Sequence, residues 1–100
     1  MQDIIEEFRN YAGENAPNSR YFVQRYQMPG IFHIRPSLKE EPFVKVGSRV
    51  KTGDLVCIIE AMKMMNEVVA EASGVVVAVY AENEKEVGLN QNLILIDKGA

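Results

Sequence analysis

The chain has no tryptophan, one cysteine and one histidine among its 100 residues. A single cysteine excludes an internal disulfide. Flanked by Val56 and Ile58, Cys57 reads as a buried, inert thiol in a reducing compartment. The lone His33 has no cysteine or second histidine near it at metal-ligand spacing, so it reads as a strand residue and not as a ligand. Positive charge is scarce and scattered: 11 Lys and Arg against 14 Asp and Glu leave a net charge of −3, and nothing marks a nucleic-acid surface. The longest apolar runs, such as Gly74 to Ala81, fall far short of the ~20 residues that a membrane helix needs. The first residues, MQDIIEEFRNYAGENA, are acidic and lack the basic start and apolar stretch of a signal peptide, so a cytoplasmic, bacterial setting is expected. No Ser-His-Asp set, metal cluster or phosphate loop is visible, which leaves the enzyme hypothesis with little support.

What is present fits one small domain. An apolar content of 47% over this length fills a single modest core. Residues 1–15 predict a short amphipathic helix with Ile4, Ile5, Phe8, Tyr11 and Ala12 as its stripe and Gly13 as its stop. GENAPNSR then reads as a polar linker broken by Pro17, so residues 1–20 form a helix and linker ahead of a domain over 21–100. A helix this short needs a surface to lie against: its own domain, a second copy of the chain in a homo-oligomer, or a docking partner. From Tyr21 the grammar changes to strands and turns. Apolar and β-branched runs at Tyr21–Gln27, Ile31–Ile34, Val44–Val46, Leu55–Ile59, Val75–Tyr80 and Leu93–Ile96 are separated by Gly, Pro, Asn and Asp, as in a small sandwich or barrel.

One stretch resists this reading. In CIIEAMKMMNEVVAEASG, Cys57 to Gly74, apolar residues Ile58, Met62, Met65, Val69 and Ala72 recur at helical spacing, and Lys63 and Glu67 form an i,i+4 pair of opposite charge. An internal repeat overrules that periodicity. VKTGDLVCIIE (Val50–Glu60) matches VGLNQNLILID (Val87–Asp97): Gly53 stands against Asn90, both suited to a left-handed turn position, and Glu60 against Asp97. Upstream, PGIF (Pro29–Phe32) loosely matches SGVV (Ser73–Val76). Gly30 to Val50 is 20 steps and Gly74 to Val87 is 13, so the first half carries about seven extra residues, placed in IRPSLKEEP, Ile34–Pro42. If the second copy is turn plus strand, so is the first. A strand then runs to Glu60, another begins by Asn66, and AMKMM connects them. Met-Lys is an odd pair for a hairpin turn, and places where local preference is overruled are often functional.

EAMKM (Glu60–Met64) resembles the attachment motif of biotinyl domains, with VGSRVKTGD before it and EASGVVVAV after it extending the similarity over about Phe22 to Asp97. The resemblance implies an all-β fold, the flattened β-barrel of two quasi-symmetric halves called the barrel-sandwich hybrid, with an exposed hairpin that carries the lysine. It implies covalent biotin on Lys63, and a part for Glu60, Ala61, Met62 and Met64 in the motif and in partner recognition. The insertion at about 34–42 resembles the protruding thumb of biotin carboxyl carrier proteins of acetyl-CoA carboxylase. The implied role is that of a non-catalytic carrier, loaded by biotin protein ligase, that takes a carboxyl group from biotin carboxylase to carboxyltransferase. Biotinyl domains of other carboxylases or decarboxylases, and lipoyl domains, are the alternatives; lipoyl domains usually have Asp-Lys-Ala at the turn, unlike Met62-Lys63-Met64. This chain departs from the family at Glu84, where a turn glycine is frequent, and the usual upstream region is longer, as expected of a fragment. A carrier should be inert. No residue of AMKM can take a proton from a lysine amine, which is protonated at neutral pH, so the ligase must do so. Met62 and Met64 would offer adaptable apolar surface on either side.

Overall fold

A computed structural model describes residues 19–99. Eight strands follow in order: β1 (Tyr21–Gln24), β2 (Gly30–His33), β3 (Arg49–Val50), β4 (Leu55–Ala61), β5 (Met64–Val69), β6 (Gly74–Val79), β7 (Lys85–Val87) and β8 (Ile94–Asp97). They form two four-stranded antiparallel sheets, ordered β1-β8-β6-β3 and β5-β4-β2-β7. The predicted N-terminal helix and most of its linker lie outside the described residues. Among the described residues no helix is long and apolar enough to cross a membrane.

Alternation along the strands builds the core. Phe32 of β2, Val56 and Ile59 of β4, Val76 of β6 and Ile94 and Ile96 of β8 are fully buried between the sheets. Cys57 belongs to this core, and burial pushes its thiol up to about 12, so the inert-thiol reading holds.

The internal repeat is a pseudo-twofold relation that extends to single residue pairs. A shift of 44 takes Gly30 to Gly74, and a shift of 37 takes Val50 to Val87. Applying these shifts to one sheet reproduces the register of the other. Phe32 faces Ile59 and Val76 faces Ile96; Ile31 faces Glu60 and Val75 faces Asp97; Met65 faces Glu60 and Tyr21 faces Asp97. Turn geometry follows the same relation: Gly53 and Asn90 have φ of 98° and 56°, Gly47 and Glu84 have 98° and 65°. Glu84 thus keeps the left-handed backbone of the glycine it replaces.

The relation explains Gly30 and Gly74. A Cβ on Gly30 would come within 2.5 Å of the Glu60 carbonyl oxygen, and one on Gly74 would collide with that of Asp97. Both glycines let a strand pass close to its neighbour at equivalent crossings.

Two expectations need correction. Val44–Val46 is not a strand: Val44 is a buried core residue, but the chain turns at Val46–Gly47. Strand pairing resumes only at β3. The hairpin connection is shorter than AMKMM, because Ala61 pairs with Met64 and both lie in strands. The short strands β3 and β7 carry Arg49, Lys85 and Glu86, so no apolar run announces them. The insertion after Ile34 is irregular, with its base closed by a Phe43 N–H donating to the Ile34 carbonyl at 2.7 Å.

Candidate functional site

The β4–β5 hairpin is closed by two residues, Met62 and Lys63, both with positive φ, 53° and 62°. Positive φ at both central positions defines the type I′ turn, whose twist matches that of paired strands. Neither residue favours this conformation; each left-handed non-glycine residue costs roughly 1–2 kcal/mol. Strand pairing on both sides imposes it. From Leu55–Val69 to Ala61–Met64 the two strands stay in register after one bulge near Cys57. Asn66 braces the tip by donating its side-chain amide to the Ile59 carbonyl at 3.1 Å.

The turn projects Lys63 outward. Met62 is 82% exposed and Met64 64%, so neither fills the core. Lys63 is exposed as well, and among the described residues its ammonium has neither an ion pair nor a hydrogen bond. Ala61 is buried and anchors the base of the turn. Glu60 is exposed on the outer sheet face, where its Oε1 lies 3.0 Å from His33 Nε2. That pair is diagonal across β2 and β4, and pattern reading missed it because it requires the register. Met65, which the motif reading left out, sits opposite Glu60 and is 54% exposed. Beside the tip a shallow groove of about 420 Å³ is lined by Met28, Pro29, Ile31, Met62 and Val87, among others.

β1 leads away from Arg20 to Gln24, and the chain then crosses to Gly30, which follows Met28 and Pro29 beside Met62. Under the pseudo-twofold relation, the Met62–Lys63 turn corresponds to the ends of β8 and β1, where a Lys98 N–H donates to the Arg20 carbonyl at 2.7 Å and no turn joins the strands.

A family described as "Biotin-requiring enzyme" matches residues 27–96. The chain belongs to this family. It is 49% identical over 69 residues to "Biotin carboxyl carrier protein of acetyl-CoA carboxylase 2, chloroplastic" of Arabidopsis thaliana, covering 69% of this chain and 27% of that protein. It is 43% identical over 81 residues to the biotin carboxyl carrier protein of acetyl-CoA carboxylase of Pseudomonas aeruginosa, covering 81% and 52%. The solved structure of the Kluyveromyces lactis urea carboxylase matches with a TM-score of 0.64 at 30% identity, over 83% of this chain and 7% of that one. The chain spans about a quarter to a half of the curated relatives it matches.

The hairpin fits covalent biotin, the cofactor this family requires. Attachment needs a primary amine that no carboxylate sequesters, on a backbone that does not yield when an enzyme closes around it. Lys63 meets the first need, and the paired strands with the Asn66 brace meet the second.

Proposed function

We propose that this domain is a biotin carboxyl carrier of acetyl-CoA carboxylase, with biotin joined to Lys63 Nζ as an amide. The observation that carries this reading is the type I′ turn, which holds an unpaired lysine at the outermost point of a rigid hairpin. The names of the relatives from Arabidopsis thaliana and Pseudomonas aeruginosa support the choice of acetyl-CoA carboxylase. Biotin, once bound, supplies a ring nitrogen that takes up a carboxyl group and later releases it.

The chain's own residues present and guide. Lys63 provides the amine and a flexible stem. Met62 and Met64 flank it with apolar, polarizable surface that adapts to several partners. Ala61 anchors the turn from its buried side, and the His33–Glu60 pair fixes the outer face behind it as a recognition surface for biotin protein ligase. No step of the chemistry is assigned to a residue of this domain, so it acts as a non-catalytic carrier. Biotin carboxylase loads it and carboxyltransferase unloads it. Tethering raises the local concentration at both without tight docking. Residues 1–20 are read as a leading segment, a candidate self-association or docking element, and about 34–42 as a thumb that partners contact.

The test is co-expression with a biotin protein ligase, followed by intact mass and peptide mapping. One biotinyl group on Lys63 is expected, taking the net charge from −3 to −4, and Lys63→Arg should abolish it without unfolding the domain. Biotin found on Lys45, Lys51 or Lys85 would overturn the assignment. The urea carboxylase similarity supports a second reading, the biotinyl domain of another carboxylase. Transfer from the loaded domain to acetyl-CoA, with the cognate carboxyltransferase, separates the two.

A further inference from the structure

We propose that Met62, Met64 and Met65 form a methionine oxidation site, where peroxide turns three thioethers into sulfoxides and uncouples the lysine hairpin from its partner enzymes. The chemical half stands on this chain alone; the uncoupling rests on the carrier reading.

Sulfur at this tip is unusually open. Met62, Met64 and Met65 are 82%, 64% and 54% exposed, and Lys63 lies among them. None of the three belongs to the buried core. The other described sulfurs differ. Met28 is partly buried against the core, and Cys57 is fully buried. Peroxide attacks the thiolate of a cysteine, and burial has pushed the Cys57 thiol up to about 12, so that route is closed. A thioether has no proton to lose, and its reactivity follows access. A methionine sulfur lone pair attacks one oxygen of hydrogen peroxide. The O–O bond breaks, an S–O bond forms, and the departing hydroxide takes the proton to leave as water. Sulfur is oxidised by two electrons and peroxide is reduced.

Each sulfoxide places a polar, chiral oxygen where adaptable apolar surface stood. At three positions around one lysine, this removes the apolar collar through which an enzyme would seat the hairpin. The fold should not follow, because the strand ladder and the Asn66 brace hold the backbone without these side chains. Sulfoxide reductases, which transfer two electrons from thiols and release the oxygen as water, make the change reversible.

The experiment treats the biotinylated chain with limiting hydrogen peroxide, then maps sulfur oxidation by peptide mass and measures carboxylation by biotin carboxylase. Sulfoxide should appear at Met62, Met64 and Met65 before Met28, with Cys57 untouched and the thermal unfolding midpoint unchanged. Loss of a few sulfur contacts predicts a fall in kcat/KM of about tenfold, restored by methionine sulfoxide reductases of both epimer specificities. In Met62→Leu/Met64→Leu/Met65→Leu, peroxide should lower the rate only as far as oxidation of biotin's own ring thioether does, so the parent's fall should exceed the variant's. Oxidation of Met28 or Cys57 first would overturn the site, and full oxidation of the three with an unaltered rate would overturn the uncoupling. A chain that carries no biotin on Lys63 would overturn the carrier reading and with it the uncoupling, while the order of oxidation on that same chain still decides the site.

Discussion

The two halves of the domain share one strand plan and end differently. In one sheet, β4 and β5 are joined by Met62 and Lys63; in the other, the equivalent ends of β8 and β1 stay unjoined. The acidic residue behind each end differs as well. Asp97 is buried and gripped by Arg20 through two hydrogen bonds, of 2.7 and 2.9 Å, and also accepts from the Gly99 N–H at 3.0 Å. Its counterpart Glu60 is exposed and, among the described residues, pairs only with His33. One frame thus gives a sealed end and a presenting end. The strand plan is common to both halves, and the ends depart from it.

The largest effects should come from the shared crossings. Gly30→Ala and Gly74→Ala each drive a methyl into a paired carbonyl and should cost about 1–3 kcal/mol or more, as overpacking does. Gly74→Ala should be the worse, since its Cβ would stand 2.8 Å from the Asp97 carbonyl carbon against 3.2 Å for Gly30 and Glu60. Urea unfolding of both variants checks this; a loss of stability at one site alone would break the equivalence, and tolerance at both would show that neither crossing is tight. Next comes the turn itself. Met62→Asn with Lys63→Gly installs the preferred type I′ pair and should stabilise the domain by about 1–2 kcal/mol while removing its attachment point. A drop in stability in the same denaturant titration would show that the turn is not strained.

Smaller again is the insertion after Ile34, which only the first half possesses. Leu38 within it is 72% exposed, and the Phe43–Ile34 hydrogen bond already closes its base. Deleting residues 35–41 shortens a loop and should shift stability by about 0.5 kcal/mol, yet weaken transfer with partner enzymes. Extensive unfolding would make it part of the core frame. The smallest effect concerns the sealed end. The Arg20 hydrogen bonds lower the Asp97 carboxyl against the opposing pull of burial, with help from Gly99 and from the Arg20 charge. A carboxyl lowered by folding stabilises the fold above its ordinary value, here 3.8, and that contribution is lost as pH falls through the lower folded value. Arg20 is 59% exposed, so solvent screens the pair. Asp97→Asn should flatten the acid limb of a plot of unfolding midpoint against pH; an unchanged limb would assign acid sensitivity to other carboxylates.

The sequence made the architecture legible because the repeat encodes it twice. Matching Gly53 to Asn90 and Glu60 to Asp97 implied a strand where periodicity spelled a helix, and both matches carry through to backbone conformation and register. Strand lengths were harder to read. Met64 and Met65 look like helix formers and join β5 only because β4 lies alongside, and β3 and β7 exist through pairing more than composition. Val44 has strand chemistry but spends it on the core just before a turn. At the site, EAMKM pointed to the lysine. It could not disclose that His33 reaches Glu60, or that Asn66 props the tip, since each contact spans strands whose alignment no local pattern specifies.

The unjoined end has a mechanical meaning. In the strand plan, Ser19 leads into the unjoined end while Lys63 stands at the joined one, and the body measures 37 Å along its longest axis. A partner that held the sealed end would make the stiff sandwich a lever with its pivot there. A modest rotation about the pivot sweeps the lysine through a far longer arc than the side chain could cover alone. The frame that looks like passive support becomes most of the arm.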